Sequence, residues 1–278
     1  MGSKVNLGAY FERIGFSGSI APTLATLEAI AALHPAAIPF ENLSPLIGDD
    51  VALDQDNLEH KLLFDRRGGY CYEHNLLLLS VLTELEFTVR PLAARVLWSN
   101  PQPDDSPTRH MLLTVDLAGT SYIVDPGFGG LMLTAPLRLR ADIEQETPHE
   151  PFRLLQEGEE WRLEALVEGE WRALYSFNLD VRDLAEFAAY NQIVSKSENS
   201  PFTKELRVAL ALPGKRLKLY GNRYSVFVPG QEPDHRQLAS PAEIADVLSN
   251  DFGIALPQDQ ALDEKLAEVI ARAHSTAF

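Results

Sequence analysis

The stretch RRGGYCYEHN, residues 66–75, holds the one cysteine of a 278-residue chain. A thiol with an ordinary pKa of about 8.5 is a sluggish nucleophile at neutral pH, and a helix N-terminus beside an imidazolium is the usual way to hold it as thiolate. Gly68 and Gly69, followed by the apolar run NLLLLSVLTELEF, place Cys71 at or near such a terminus. The imidazole must come from His34, His60, His74, His110, His149, His235 or His274. His74 lies three residues further along the same predicted helix, where its ring points beside or away from the helix mouth, so it reads as structural. His110 opens the strand pattern HMLLTVDL, which turns at Ala118 and Gly119 and returns as SYIVD, ending in Asp125. A two-residue turn sets Leu117 opposite Thr120 and Asp125 opposite Leu112, which makes His110 a diagonal neighbour of Asp125 on one face. A loop one residue longer or shorter, without a bulge, would send the two side chains to opposite faces. The pattern therefore supplies a nucleophile, a base and an orienter: Asp125 holds the ring, and His110 exchanges a proton with Cys71.

Taken singly, each residue has a plainer role. A lone cysteine serves as a small core residue, His110 as a strand-edge polar group, and Asp125 before Pro126 as a turn initiator. Their joint placement is what points to chemistry. A metal role for Cys71 finds no support, because neither a second cysteine nor a close histidine pair accompanies it in the sequence.

The elements that must position these groups follow from periodicity. Leu7, Tyr10, Phe11 and Ile14, then Leu24, Leu27, Ile30 and Leu33, recur at helical spacing, and Asp56 is placed to cap a helix over NLEHKLLFDRR that Gly68 and Gly69 end. From residue 88 the period becomes two, through TVRPLAARVLW, HMLLTVDL, SYIVD, FRLLQE, WRLEALV and EWRALYSF, which predicts an antiparallel barrel or curled sheet. A helix at about 180–190, strands within 205–228 and helices at about 241–250 and 261–273 complete the chain. The expected fold class is α+β, with a helical region over 1–87 carrying the cysteine, a β-barrel over 88–190 carrying His110 and Asp125, and a third region over 191–278.

Composition narrows the function. A hydrophobic content of 45% suits a packed soluble protein. The formal charge of −16 disfavours nucleic acid, whose phosphates want Lys and Arg in place of condensed counterions. No segment approaches the roughly 20 apolar residues of a membrane helix, and the N-terminus lacks a signal-peptide run, so a reducing cytoplasm is the expected compartment. Charge is uneven: residues 141–172 carry ten Asp or Glu, whereas 201–223 carry six Lys or Arg against one Glu. The second stretch suits either a small phosphorylated ligand or a solvated strand face.

RRGGYCYEHN, the upstream IPFENLSP, the RHMLLTV and DPGFGG segments, and NQIVSKSENSPFTKEL together resemble the arylamine N-acetyltransferase family along nearly the whole chain, in the same order and at similar spacing. That resemblance implies a helical first domain, a β-barrel second domain and an α/β lid as the third, with a cysteine-protease-like core in the cleft between them. It implies acetyl-CoA as co-substrate, no permanently bound cofactor, and a ping-pong cycle through an S-acetyl cysteine to an arylamine, arylhydrazine or N-hydroxyarylamine. Carried over residue by residue, Cys71 is nucleophile, His110 base and then acid, and Asp125 the orienter. Motif position further assigns Glu41 and Arg67 to an ion pair supporting the cysteine turn, and Phe40, Phe128 and Phe202, with Gly129, to the acceptor pocket. The pantetheine is expected near Gly129 and Gly130, and the phosphates toward Lys215, Arg216 and Lys218.

Arg109 and Pro126 stand where the family often has Thr before the histidine and Val after the aspartate, and Tyr72 where Phe is common; these departures bear on substrate preference. Rival readings with the same three groups are a papain-like or transglutaminase-like amidase, a CoA-independent amide synthase, and a non-catalytic binding protein on the same scaffold.

Overall fold

A computed structural model describes residues 4–98 and 109–275. The first region contains helices α1 (Leu7–Ile14), α2 (Leu24–Ala37), α3 (Leu43–Ile47), α4 (Gln55–Glu59) and α5 (Cys71–Glu84), with a short strand β1 (Phe40–Glu41) between α2 and α3. Helix α5 is central. Its residues 71–78 are all buried, so its first two turns are packed on every side, and only Leu79, Ser80, Thr83 and Glu84 near its end reach solvent. Leu77, with no exposed surface, contributes on the order of 2–5 kcal/mol by the usual cost of a large-to-small core truncation.

One boundary differs from expectation. Asp54, not Asp56, caps α4, its Oδ1 accepting from the Asn57 N–H at 3.1 Å. The segment then widens into a π-turn over His60–Phe64 and leaves through Arg66 at φ 53°, so Gly68 and Gly69 do not stop a helix. Instead they run beside Pro39–Glu41: Gly69 N–H donates to the Pro39 carbonyl and Glu41 N–H to the Gly69 carbonyl. A Cβ on Gly68 would lie 2.0 Å from the Pro39 oxygen, which is why only glycine fits this approach.

The middle region is an eight-stranded antiparallel sheet built from β2 (Thr88–Val96), β3 (His110–Leu117), β4 (Thr120–Val124), β5 (Leu137–Arg138), β6 (Glu144–Gln145), β7 (Phe152–Glu157), β8 (Glu160–Val167) and β9 (Glu170–Phe177), in the order β5-β4-β3-β2-β9-β8-β7-β6. It curls into a nearly closed barrel whose edge strands β5 and β6 do not pair with each other. The β3–β4 register is the expected one, Leu117 opposite Thr120 through Leu113 opposite Val124, and both turn residues have positive φ, 49° at Ala118 and 78° at Gly119. β3 is buried on both faces: Met111, Leu113 and Val115 join the helical core, while Leu112 joins the barrel core with Leu163, Phe152 and Tyr175.

Helix α6 (Leu184–Lys196) crosses position 190 and packs Phe187 and Val194 onto the helical core. After α7 (Pro201–Lys204) come β10 (Arg207–Leu212), β11 (Lys215–Tyr220), β12 (Arg223–Phe227) and β13 (Asp234–Gln237), then α8 (Pro241–Asn250) and α9 (Gln260–Ser275). Their five-stranded sheet recruits β1 at its edge, Phe40 pairing with Ala209 and Glu41 with Val208. This long-range pairing ties the last region to the segment that flanks the cysteine turn.

Candidate active site

Cys71 is the first residue of α5, and Tyr70 caps the helix with its own N–H held at 3.0 Å by the Glu73 carboxylate. The first ladder bond runs from the His74 N–H to the Tyr70 carbonyl. The amides of Cys71, Tyr72 and Glu73 therefore stand outside the intrahelical ladder at the positive end of the helix dipole. The Lys61 ammonium reaches Glu73 at 2.6 Å, and Arg67 meets Glu41 at 2.8 Å through Nη2 and 3.0 Å through Nε. Glu41 is fully enclosed. Burial opposes its charge, yet Arg67, Lys61 and the Leu43 N–H together hold its carboxyl below the usual range.

His110 Nε2 and Asp125 Oδ2 lie 2.6 Å apart, with 3% of His110 and none of Asp125 exposed. The other Asp125 oxygen accepts from Asn75 Nδ2 at 3.0 Å and from the Gly127 N–H at 3.1 Å. Burial alone would depress the imidazolium, but the Asp125 charge and hydrogen bond, joined by a hydrogen bond with Cys71, raise the His110 pKa to about 10. With Nε2 on the carboxylate, Nδ1 is the ring nitrogen left for the thiol.

The DPGFGG loop closes over the helix mouth. A Cβ on Gly127 would come within 2.8 Å of the Cys71 Cα and 2.7 Å of Asn75 Nδ2, and one on Gly130 within 2.8 Å of the Lys218 side chain. Glycine here lets strand β4 deliver Asp125 and then pass against α5.

The three phenylalanines fall into two groups. Phe40 and Phe202 have ring centroids 6.3 Å apart, with Phe202 5.5 Å from Tyr70 and Phe40 flanking Gly129. Phe128 packs on His110 at 5.1 Å and on Tyr175 at 4.9 Å. The cationic stretch is also divided. Lys215 is exposed, and half-buried Lys218 sits with its ammonium 4.6 Å from the Phe227 ring. Arg216 is 2% exposed, paired with Glu150 at 2.6 Å and donating to the Met132 carbonyl, which removes it from the surface expected for phosphates.

Sequence reasoning missed three contributors. Asn75, one helical turn after Cys71 on the same face, bridges the Met111 carbonyl and Asp125 and was findable from the four-residue spacing. Tyr72 donates from its hydroxyl to the Arg109 carbonyl at 2.6 Å, anchoring the entry of β3. Tyr175 is fully buried 5.1 Å from the His110 ring, its hydroxyl outside ordinary hydrogen-bond geometry. Burial and the Asp125 charge push its ionisation well above the usual range. It has no local signal, since β9 reaches the site only by pairing with β2.

The family model described as N-acetyltransferase matches residues 23–261. The arylamine N-acetyltransferase of Mycolicibacterium smegmatis is 42% identical over 96% of this chain and 98% of its own length, and that of Escherichia coli K12 is 39% identical over 90% and 89%. The chain belongs to the arylamine N-acetyltransferase family. Among solved structures, Mycobacterium marinum arylamine N-acetyltransferase in complex with CoA superposes with a TM-score of 0.91 at 37% identity, covering 95% of this chain and 99% of that one. As a member of that family the protein is an acetyltransferase.

Proposed function

We propose that the protein transfers an acetyl group from acetyl-CoA to arylamines, arylhydrazines or N-hydroxyarylamines by a ping-pong cycle through S-acetyl Cys71. In this reading residues 1–87 bring the nucleophile, 88–190 the base and orienter, and 191–278 the lid. The observation that carries it is the continuous line from the α5 terminus through His110 to Asp125, enclosed within a chain that matches arylamine N-acetyltransferases over nearly its full length.

The chemistry follows from the parts. Raised by Asp125, His110 keeps the proton it takes from the thiol, leaving a thiolate at the helix terminus. That thiolate attacks the thioester carbonyl, a C–S bond to Cys71 forms, and the unladdered amides at the start of α5 stabilise the oxyanion. Collapse breaks the original C–S bond, and CoA leaves with a proton from His110. An amine nitrogen then attacks the acetyl carbon, His110 takes its proton, and the Cys71 thiolate departs. Asp125 keeps the ring oriented throughout and balances its charge. Phe40, Phe202 and Phe128 form aromatic walls for the acceptor; the pantetheine passes Gly129 and Gly130, with Lys218 and Lys215 toward the phosphates. Arg216 has a structural part.

The test is intact mass spectrometry after brief exposure to acetyl-CoA without acceptor, beside Cys71→Ala. One added acetyl group, absent in the variant and discharged by an aromatic amine, is the expected outcome. A wild-type protein that stays unmodified by acetyl-CoA but releases amine from a peptide amide would replace this reading with an amidase.

A further inference from the structure

Beneath the cysteine turn lies a second set of histidines that the acyl-transfer cycle does not use. Tyr10 of α1, His34 of α2 and His74 of α5 are all without exposed surface. The Tyr10 hydroxyl lies 2.9 Å from His34 Nδ1, His34 Nε2 lies 2.9 Å from His74 Nδ1, and His74 Nε2 lies 3.2 Å from the Pro39 carbonyl oxygen. That carbonyl can only accept, so His74 carries its proton on Nε2. His74 Nδ1 then accepts from His34 Nε2–H, and His34 Nδ1 accepts from the Tyr10 hydroxyl. Every polar atom in the line is satisfied by one arrangement of protons, with both rings neutral.

We propose that Tyr10, His34 and His74 form a proton-ordered relay that positions Phe40, through the Pro39 carbonyl and the face of His74, and that it holds only while both imidazoles are neutral. The Phe40 ring lies nearly parallel to that of His74, at 10° and 6.5 Å between centroids, and its other neighbours are Phe202 and Gly129. His74 and His34 are thus positioning residues for one wall of the cleft; the wall's role as acceptor site rests on the function proposed above.

A second proton on His74 would set an Nδ1–H against the His34 Nε2–H, donor to donor. Surrounding charges do not favour it uniformly: Arg13 of α1 and the neighbouring ring oppose protonation of His34, while Glu41 of β1 favours and Lys61 of the π-turn opposes that of His74. Burial outweighs these and holds His74 at about 4 and His34 well below its ordinary value.

The primary test is imidazole ¹⁵N–¹H correlation NMR on the wild-type protein between pH 8 and 5. Both rings are expected as neutral Nε2–H tautomers throughout, and an Nδ1–H tautomer in either, or protonation of either within that range, would overturn the relay. His74→Leu removes the donor and the stacked face; the acceptor KM is expected to rise at least fivefold while the rate of Cys71 acylation falls less than twofold. Equal losses in both half-reactions, or an unchanged KM, would reject the positioning of Phe40. A wild-type protein that does not acetylate at all would refute the function, whereas the tautomers read by NMR would still decide for or against the relay.

Discussion

Two enclosed histidine sites, one on each side of the cysteine turn, differ in what stands at the far end of the ring. His110 faces a carboxylate, so charge is welcome and its pKa rises to about 10 despite burial. His74 faces backbone carbonyls and another neutral ring, and these with the Glu41 charge offset desolvation only in part, so its pKa falls to about 4. Similar burial thus yields a cationic ring suited to proton exchange and a neutral ring suited to fixed hydrogen bonding. The difference shows that the partner, rather than the depth, sets a histidine's part in this protein.

His110→Gln tests the charged side most severely. If His110 is the base proposed above, its loss is expected to slow acylation of Cys71 by about 10⁴-fold, the upper end of general acid–base contributions, with the fold kept; rapid-quench mass spectrometry of S-acetylation checks it. Asp125→Asn is milder. It keeps the size of the side chain but removes its charge, and a fall of about 10²–10³-fold, in the lower part of the range of general acid–base contributions, is expected, with Cys71 alkylation by iodoacetamide at pH 6 slowed alongside. Retention of full alkylation at that pH would mean that Asp125 does not sustain the imidazolium.

The Glu41–Arg67 pair adjoins the neutral site, where the Glu41 charge acts on His74. Glu41→Gln leaves the arginine half-matched in a largely enclosed setting, and a loss of about 3–5 kcal/mol in chemical denaturation is expected.

The pH dependence of stability separates the two histidine sites by sign. His34 and His74 are depressed, so between about 4 and the ordinary 6.5 the unfolded chain binds more protons than the native one. Stability is therefore intact above 6.5 and lost as pH falls toward 4, with His74 alone accounting for about 3 kcal/mol. His110 is raised, so its contribution is present below 6.5 and lost as pH climbs toward 10. Urea titrations across pH should show the alkaline limb vanish in His110→Gln while the acid limb stays. The smallest expected effect belongs to Tyr175→Phe. Removing a hydroxyl that neighbours Asp125 without a full hydrogen bond should change turnover by about threefold or less, measured as kcat/KM.

Most of the line from Cys71 through His110 to Asp125 is legible in the sequence because its parts are local. A hairpin with two turn residues fixes parity, so His110 and Asp125 must share a face, and a glycine pair before an apolar run places Cys71 at a helix start. Even the Asn75 bridge obeys helical spacing. The cap of α4 is not legible in the same way, because Asp54 and Asp56 are equally good caps in sequence, and packing chose the first. Arg216 reads as a surface cation because Glu150, its partner, is 66 residues away in sequence.

Sequence by itself determined where Cys71, His110 and Asp125 stand within their elements and where the period changes from helical to strand, since each depends on neighbours within one helix or one hairpin. Tertiary structure alone decided that Tyr175 stands beside His110, that Phe40–Glu41 edges a distant sheet, and that His34 and His74 meet. These depend on strands and helices far apart in the chain, whose pairing is chosen by the collective burial of three apolar cores. No local pattern encodes which distant surface a buried ring will face, and that facing is what made one histidine charged and left another neutral.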